Sequence, residues 1–128
     1  MVDQEEVAKI RSLLQLPPTD IVRSDFNLNL RAGEVAALYG HNWLYDNIIN
    51  YYLQMILKRS HEKRAVNAPG YLKIGVVNTF WYQKLASQGF SSVQLWTRHT
   101  NIFDQDVALV PVHLGAHWCL AVVDVTNK

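Results

Sequence analysis

The apolar residues of the first segment recur at the spacing of a helix. They are Val7, Ile10, Leu13 and Leu14. This spacing predicts an amphipathic helix from Asp3 to Leu16, and Pro17-Pro18 ends it because proline cannot continue a helix. Next, Phe26, Leu28 and Leu30 alternate with asparagines, which predicts a short strand. Glu34 to Tyr39 then reads as a helical turn that ends at Gly40.

The clearest helical pattern begins at Asp46, in the segment DNIINYYLQMILKRSHEK. Its apolar face is formed by Ile49, Tyr52, Leu53 and Ile56. Asp46 is suited to cap the start of this helix, and basic residues gather near its end. Two further segments, NTFWYQKLAS and SSVQLWT, predict short helices separated by Gly89.

The last part of the chain contains two nearly continuous apolar runs, Val107 to Val112 and Trp118 to Val125. Such runs predict strands covered on both faces, and the short glycine-containing link Leu114-Gly115-Ala116 favours an antiparallel pair. Helices come first and strands come late, which indicates an α+β fold. Two good strands and one marginal strand form too small a sheet to cover its apolar faces, so we expect further structure to complete it.

Composition narrows the class of protein. The 128 residues are 49% hydrophobic and 18% charged, with a formal net charge of +1. This balance is typical of a globular domain and provides no electrostatic field that would attract nucleic acid or an anionic membrane. The start, MVDQEEVAKI, lacks the pattern of a signal peptide, and no apolar stretch is long enough to span a bilayer, so a soluble intracellular protein is expected.

The five histidines and the single cysteine give little support for a metal site. No two histidines have the HExxH spacing, and Cys119 alone cannot form a disulfide or a paired-cysteine zinc site. No metal or cofactor is therefore predicted. Cys119 lies within the apolar run WCLAVVD, where a thiol is expected to behave as a small buried hydrophobe rather than as a nucleophile.

His117 is the strongest candidate for chemistry. It stands at the first position of the predicted second strand, beside Gly115 and directly before Trp118. An imidazole held at the end of a strand is well placed to transfer protons near neutral pH. The residues alone favour the simpler alternative of a hydrogen-bonded histidine that closes a hairpin. Trp43 and Trp118 also lie at the edges of elements, although tryptophans are commonly core residues.

Four blocks of the sequence carry a resemblance: GHNWLYDNIINYYL, NTFWYQKL, VQLWTR and LVPVHLGAHWCLAVVD. Together they resemble the Ulp1/SENP family of SUMO-specific cysteine proteases, from about Phe26 onward, and the last block is most similar to the SENP1/SENP2-like members. The resemblance implies a papain-like cysteine peptidase fold of the Ulp1/adenain type, present only in part. Residues 1–25 would form an N-terminal helix and lead-in, and residues 26–128 the first portion of the peptidase domain, before its catalytic aspartate and cysteine.

The resemblance also implies roles for individual residues. His117 corresponds to the catalytic histidine of the family, and Trp43 and Trp118 would form the walls of a narrow tunnel for the Gly-Gly tail of SUMO. The remaining candidates would border the surface that holds SUMO; they are Asp46, Phe80, Trp96, His113 and Gly115. Asp46 could instead serve only as a helix cap, and Phe80 only as a core residue.

By this resemblance the chain is part of a SUMO-specific cysteine protease that releases SUMO from conjugated proteins and processes its precursor. The isolated chain is expected to be inactive because it lacks the nucleophilic cysteine. Two alternatives remain open, a noncatalytic SUMO-binding module and a degenerate protease fragment. The family also implies a nuclear location. The long segment from Arg64 to Val76, and Leu95 in place of a basic residue, depart from the family pattern and affect only the choice of SUMO form.

Overall fold

The computed structural model of the protein describes residues 1–98 and 101–126. These residues form two compact units, Met1–Tyr51 and a second unit that begins at Tyr52. Within the described part of the chain, none of the helices is both long and apolar enough to cross a membrane.

The first unit opens with helix α1, Gln4–Leu14. Asp3 caps this helix, because its carboxylate accepts a hydrogen bond from the backbone N–H of Glu5 at 3.3 Å. The carboxylate of Glu6 in turn accepts a hydrogen bond from the backbone N–H of Asp3, which completes a capping box. The predicted first helix is confirmed, although it ends two residues earlier than expected.

The next elements form an antiparallel hairpin of β1, Ile21–Asp25, and β2, Leu28–Arg31. The prediction that Phe26 begins a strand is wrong. Phe26 and Asn27 instead form the turn, with positive φ angles of 56° and 58°, a conformation typical of two-residue hairpins. The side chain of Phe26 packs edge-to-face against the ring of Tyr51, with the ring centroids 5.4 Å apart.

Two helices follow this hairpin. Helix α2 spans Ala32–Ala36, earlier than the predicted turn, because the Glu34 carboxylate accepts a bond from the Arg31 N–H at 2.9 Å and so sets the start of the helix. Helix α3 spans Asp46–Ala65 and confirms the predicted long helix. Asp46 is its first residue, and its carboxylate accepts a bond from the N–H of Asn47 at 2.9 Å.

The second unit is built on a three-stranded sheet of β3, Ile74–Val76, β4, Val107–His113, and β5, Trp118–Asp124. β4 lies in the middle, parallel to β3 and antiparallel to β5. The predicted antiparallel pair is confirmed. The marginal strand predicted near Phe26 does not join this sheet, and its place beside β4 is taken by β3, which is too short to show a period in the sequence.

The expectation that both late strands are covered on both faces is wrong for β5. Ala108, Val110 and Pro111 of the central strand β4 are buried. The edge strand β5 leaves Leu120 52% and Val122 63% exposed. A strand at a sheet edge has a neighbour on one side only, and the apolar run of β5 does not reveal this position.

Helix α4, Trp81–Gln88, packs against β4 and confirms the first of the two predicted short helices. Gly89 ends it with a φ of 79°. The second predicted helix is wrong over most of its length: a short 3-10 helix occupies Phe90–Ser92, and turns follow it. A second 3-10 helix, Ile102–Asp104, leads towards β4.

Candidate functional site

The end of the β4–β5 hairpin carries the candidate catalytic residue. The backbone N–H of Leu114 donates to the carbonyl oxygen of His117 at 2.8 Å, which closes a link with Gly115 and Ala116 between them. Gly115 adopts a φ of 77°, which glycine accepts without steric cost. His117 thus lies in the closing pair of the turn, one residue before β5, rather than at the first position of the strand as predicted. Its backbone closes the hairpin while its side chain stays exposed.

His113 and Trp118 form a cross-strand pair at the same end of the sheet. They are directly opposite in the β4–β5 ladder, and their ring centroids are 4.6 Å apart with the planes tilted by 36°. Such cross-strand ring contacts help to hold two strands in register. The structure therefore brings four predicted site residues, His113, Gly115, His117 and Trp118, together at one hairpin end.

Cys119 follows Trp118 on β5 and lies opposite Val112. Because side chains alternate along a strand, Cys119 belongs to the face opposite that of His113 and Trp118. It is half-buried and free of any disulfide. Within the described residues, no group of three or more histidine, cysteine or carboxylate side chains could hold a metal ion. His99 lies outside the described residues.

Phe80 and Trp96 lie on either side of helix α4 in the chain. Phe80 directly precedes α4, is 53% exposed, and is therefore not a core residue. Trp96 is 44% exposed, and the ammonium group of Lys84 lies 4.4 Å from the centre of its ring, a cation–π contact. Both aromatic side chains are thus presented on the surface of the second unit.

Trp96 also borders a cavity of about 90 Å³ together with Trp81, Asn78 and Thr97. The indole Nε1–H of Trp81 is buried and has no hydrogen-bond partner among the described residues. A cavity of this size and polarity can accommodate water, which is the usual partner of such a group.

Trp43 and Asp46 belong to the first unit. Trp43 is 67% exposed and borders an open cavity of about 550 Å³ whose other walls include Gly33, Ala36 and Tyr45. Asp46 is half-buried at the first position of α3, where its carboxylate accepts the N–H of Asn47. Its role in substrate binding and the tunnel between Trp43 and Trp118 stay predictions.

Comparison with known proteins decides the family. The family model described as the Ulp1 protease family, C-terminal catalytic domain, matches residues 42–128. This chain belongs to the Ulp1 protease family. It is 46% identical over 103 residues to a sentrin-specific protease of Caenorhabditis elegans, covering 80% of this chain and 14% of that protein. Over 112 residues it is 38% identical to sentrin-specific protease 2 of Rattus norvegicus, covering 88% of this chain and 18% of that protein.

Solved structures of the Ulp1 family show the same fold. The catalytic domain of the Chaetomium thermophilum Ulp1-like SUMO protease superposes with a TM-score of 0.85 at 21% identity, covering 99% of this chain and 53% of that domain. The Ulp1 protease domain solved in complex with SMT3, the yeast ortholog of SUMO, gives a TM-score of 0.77 at 20% identity, covering 97% and 52%. The predicted incomplete Ulp1-type fold is confirmed, because the chain spans about half of each solved domain.

The relatives reported above are proteases, so the comparisons do not favour the alternative of a noncatalytic SUMO-binding module. Sequence reasoning did not single out Lys84, whose contact with Trp96 joins residues twelve apart across a turn. A lysine three residues after a tryptophan on a short helix carries no signal that could reveal such a contact.

Proposed function

We propose that this chain supplies the histidine-bearing half of a SUMO-specific cysteine protease domain. The observation that carries the proposal is the exposed imidazole of His117 at a hairpin end, which the bond from the Leu114 N–H to the His117 carbonyl closes, in a chain of the Ulp1 family. The hydrogen-bonded ladder of β4 and β5 ends directly beside this short turn, and it restricts the movement of the backbone that carries the ring. Such restriction is what a general base needs in order to meet its partner atom.

In the complete domain, a cysteine from the remaining half would be the nucleophile. His117 takes the proton of this thiol, the thiolate attacks the glycine carbonyl carbon at the end of SUMO, and His117 then gives the proton to the departing lysine amine. Water subsequently hydrolyses the thioester and releases SUMO. The same steps at a peptide bond would process the SUMO precursor.

Aromatic residues that are exposed or half-buried support the assignment of a substrate surface. Trp118 is next to His117 in the chain, and Trp43, at the edge of the cavity in the first unit, would provide the second wall of the tunnel for the Gly-Gly tail. Indole faces leave room for glycine but collide with a Cβ atom. Asp46, Phe80, Trp96, His113 and Gly115 would border the bound SUMO. A nuclear location is part of the proposal, and imaging of a fluorescent fusion would test it.

The isolated chain is proposed to be inactive. Its only cysteine is Cys119, which is half-buried and paired opposite Val112 in the ladder. His117 and Cys119 are two residues apart, so their side chains would project side by side rather than towards each other. No thiolate is therefore placed to attack a carbonyl group that His117 could serve.

A fused domain tests the proposal. The chain is joined to the segment that follows the aligned region in the Caenorhabditis elegans protease, and release of a fluorophore from the SUMO C-terminus is measured. We expect the fusion to be active and His117→Gln to lower kcat/KM by at least about a thousandfold. The matched control is His61→Gln, an exposed histidine on α3, which should retain activity.

Cys119→Ser provides a second control, because the proposal assigns this thiol no chemical role. The fused domain with Cys119→Ser should keep its activity within about twofold. The proposal fails if the isolated chain releases the fluorophore and Cys119→Ser abolishes the release, or if His117→Gln has no effect on an active fusion.

A further inference from the structure

The end of helix α3 concentrates positive charge. Residues 58–64 carry four basic side chains and one acidic side chain, a formal net charge of +3. The other 121 residues carry eight basic and ten acidic side chains, a net charge of −2. The small net charge of the whole chain therefore conceals a local surplus, and such a surplus creates a field that attracts oppositely charged partners.

The four basic side chains are all exposed, and we call them the basic end of α3; they are Lys58, Arg59, Lys63 and Arg64. The ammonium group of Lys58 lies 3.7 Å from a carboxylate oxygen of Glu62. Among the described residues, no carboxylate lies within ion-pair distance of the other three cations. Arg59 and Lys63 are one turn apart, about 6 Å along the helix axis, and repel each other. An anion bound across these two side chains would relieve the repulsion.

The end of the helix does not need these side chains as caps. The N–H of Ala68 donates to the carbonyl oxygen of Lys63 at 2.9 Å, and the N–H of Asn67 donates to that of Arg64 at 3.0 Å. Asn67 has a φ of 53°, so the backbone itself closes the helix in a Schellman motif. The helix dipole favours cations only within the last turn, and Arg59 lies before that turn. The needs of the helix therefore do not account for the basic end.

The fold holds the basic end of α3 in a fixed position. Ser60 is 2% exposed, and its hydroxyl donates to the carbonyl oxygen of Leu72 at 2.8 Å. This bond ties α3 to the residues that lead into β3. Because β3 is parallel to β4, its start lies at the end of the sheet opposite the hairpin of β4 and β5. A surface that is ordered before binding loses less conformational entropy when a partner binds.

We propose that the basic end of α3 is a docking surface for an acidic segment of a partner protein. Charge complementarity defines this partner, since three cations without carboxylates of their own match a segment with closely spaced glutamate or aspartate side chains. Each of the two arginines can bind a carboxylate through paired hydrogen bonds.

The same residues disfavour nucleic acid as the partner. Residues 58–64 include no aromatic side chain on which a base could stack. They also span only about 10 Å of helix, which is short for the groove that tracks a phosphate backbone. A short acidic polypeptide segment fits both the charge and the length of this surface.

Fluorescence anisotropy tests the docking with a defined probe, a fluorescein-labelled peptide of alternating glutamate and serine. The 128-residue chain is titrated into this peptide at low ionic strength. We expect saturable binding whose dissociation constant rises at least about tenfold between about 50 and 300 mM salt, because salt screens interactions between exposed charges. The same peptide with glutamine in place of glutamate should not bind.

Reversal of charge at two positions tests the site. Arg59→Glu combined with Lys63→Glu should weaken binding at least about tenfold, because the probe then meets like charges. The matched control is Lys9→Glu combined with Arg11→Glu, which makes the same change in net charge at exposed positions of α1. The control should bind within about threefold of the unchanged chain. All four positions are exposed, so both double variants should fold, as circular dichroism would verify.

Nuclear magnetic resonance locates the bound peptide. We expect the largest changes in amide chemical shift at residues 58–68 and only small changes at the hairpin that carries His117. The inference does not rest on the proposed function, because these measurements require neither catalysis nor the rest of the protease domain. Loss of activity in a fused domain would therefore leave the docking unaffected.

Three results would overturn the inference: no saturable binding of the glutamate peptide, equal loss of binding in the two double variants, or amide shifts centred outside residues 58–68. A single-stranded oligonucleotide of the same charge is titrated in parallel. If it binds more tightly than the peptide, and reversal at Arg59 and Lys63 abolishes that binding, the partner is a nucleic acid and the proposal is wrong.

Discussion

At the scale of single residues, the backbone of His117 has a structural task, and its side chain is left free for the chemical one that we propose. Its carbonyl oxygen accepts the bond from Leu114 that closes the hairpin, and its imidazole remains exposed. Neighbouring His113 is instead engaged with the ring of Trp118. Two histidines four positions apart therefore have different surroundings, and the proposed role in proton transfer belongs to His117.

Gly115 supports this hairpin by its backbone conformation alone. Its φ is 77°, and a Cβ atom added there would meet nothing within 4 Å. Gly115→Ala should therefore lower the free energy of unfolding by about 1–2 kcal/mol through backbone strain, measured by urea denaturation. Gly115→Asn should lose less, because asparagine tolerates this region better. An alanine variant as stable as the unchanged chain would contradict the argument.

Lys84 is predicted to stabilise the surface around Trp96. Its ammonium group lies 4.4 Å from the ring centre, and Lys84→Met would keep the side chain's length but remove the charge. We expect a loss of about 0.5–1 kcal/mol in the free energy of unfolding, the usual size of an exposed cation–π contact. Lys84→Arg retains a cation and should be close to neutral. Equal stability of the Met and Arg variants would show that the contact contributes nothing.

At the scale of elements, Asp106 joins all three strands of the sheet at one end. Its carboxylate accepts the backbone N–H of Lys73 at 2.7 Å, just before β3. Its own N–H donates to the carbonyl of Lys73 at 2.7 Å, and its carbonyl accepts the N–H of Val125 at 2.9 Å, just after β5. The short strand β3 has few ladder bonds of its own, so this junction holds it in place.

Asp106→Ala should lower the free energy of unfolding by about 1–3 kcal/mol, because the half-buried N–H of Lys73 would lose its acceptor. Asp106→Asn keeps an acceptor oxygen and should lose less. Chemical denaturation would measure both, and hydrogen exchange at Val76 would report whether β3 is loosened. The role is refuted if the Ala variant is no less stable than the Asn variant.

At the scale of the whole molecule, an exposed apolar groove of about 600 Å³ lies between Ala121 and Val123 of β5 and the rings of Phe90 and Phe103. We expect the chain to enhance the fluorescence of anilinonaphthalene sulfonate while its near-ultraviolet circular dichroism shows fixed packing, which distinguishes it from a molten globule. Val123→Glu should reduce the enhancement and Val66→Glu should not. A folded chain that leaves the dye dark would mean that the groove is closed in solution.

Much of the fold follows from local patterns in the sequence. The first helix, the long helix from Asp46 and the two valine-rich strands were all predictable, because helical period and apolar runs are properties of adjacent residues. The family was also predictable, since the block that contains His117 and Trp118 is distinctive. The resemblance, rather than physical reasoning on spacing, supplied the chemical role that we propose for His117.

Other features depend on contacts between distant parts of the chain. The turn at Phe26, the parallel pairing of β3 with β4, and the exposure of β5 were missed or wrongly predicted. An apolar run looks the same whether its strand is buried in the middle of a sheet or exposed at the edge, because the sequence does not contain the position of the neighbours.

The sequence by itself thus determined the helices, the antiparallel pair and the family of this protein. The tertiary structure alone decided that the rings of His113 and Trp118 are in contact, that His117 closes the hairpin, and that the apolar residues of β5 are left exposed. The physical reason is that burial and close approach arise only when separate elements pack, whereas propensity and pattern act within a single segment.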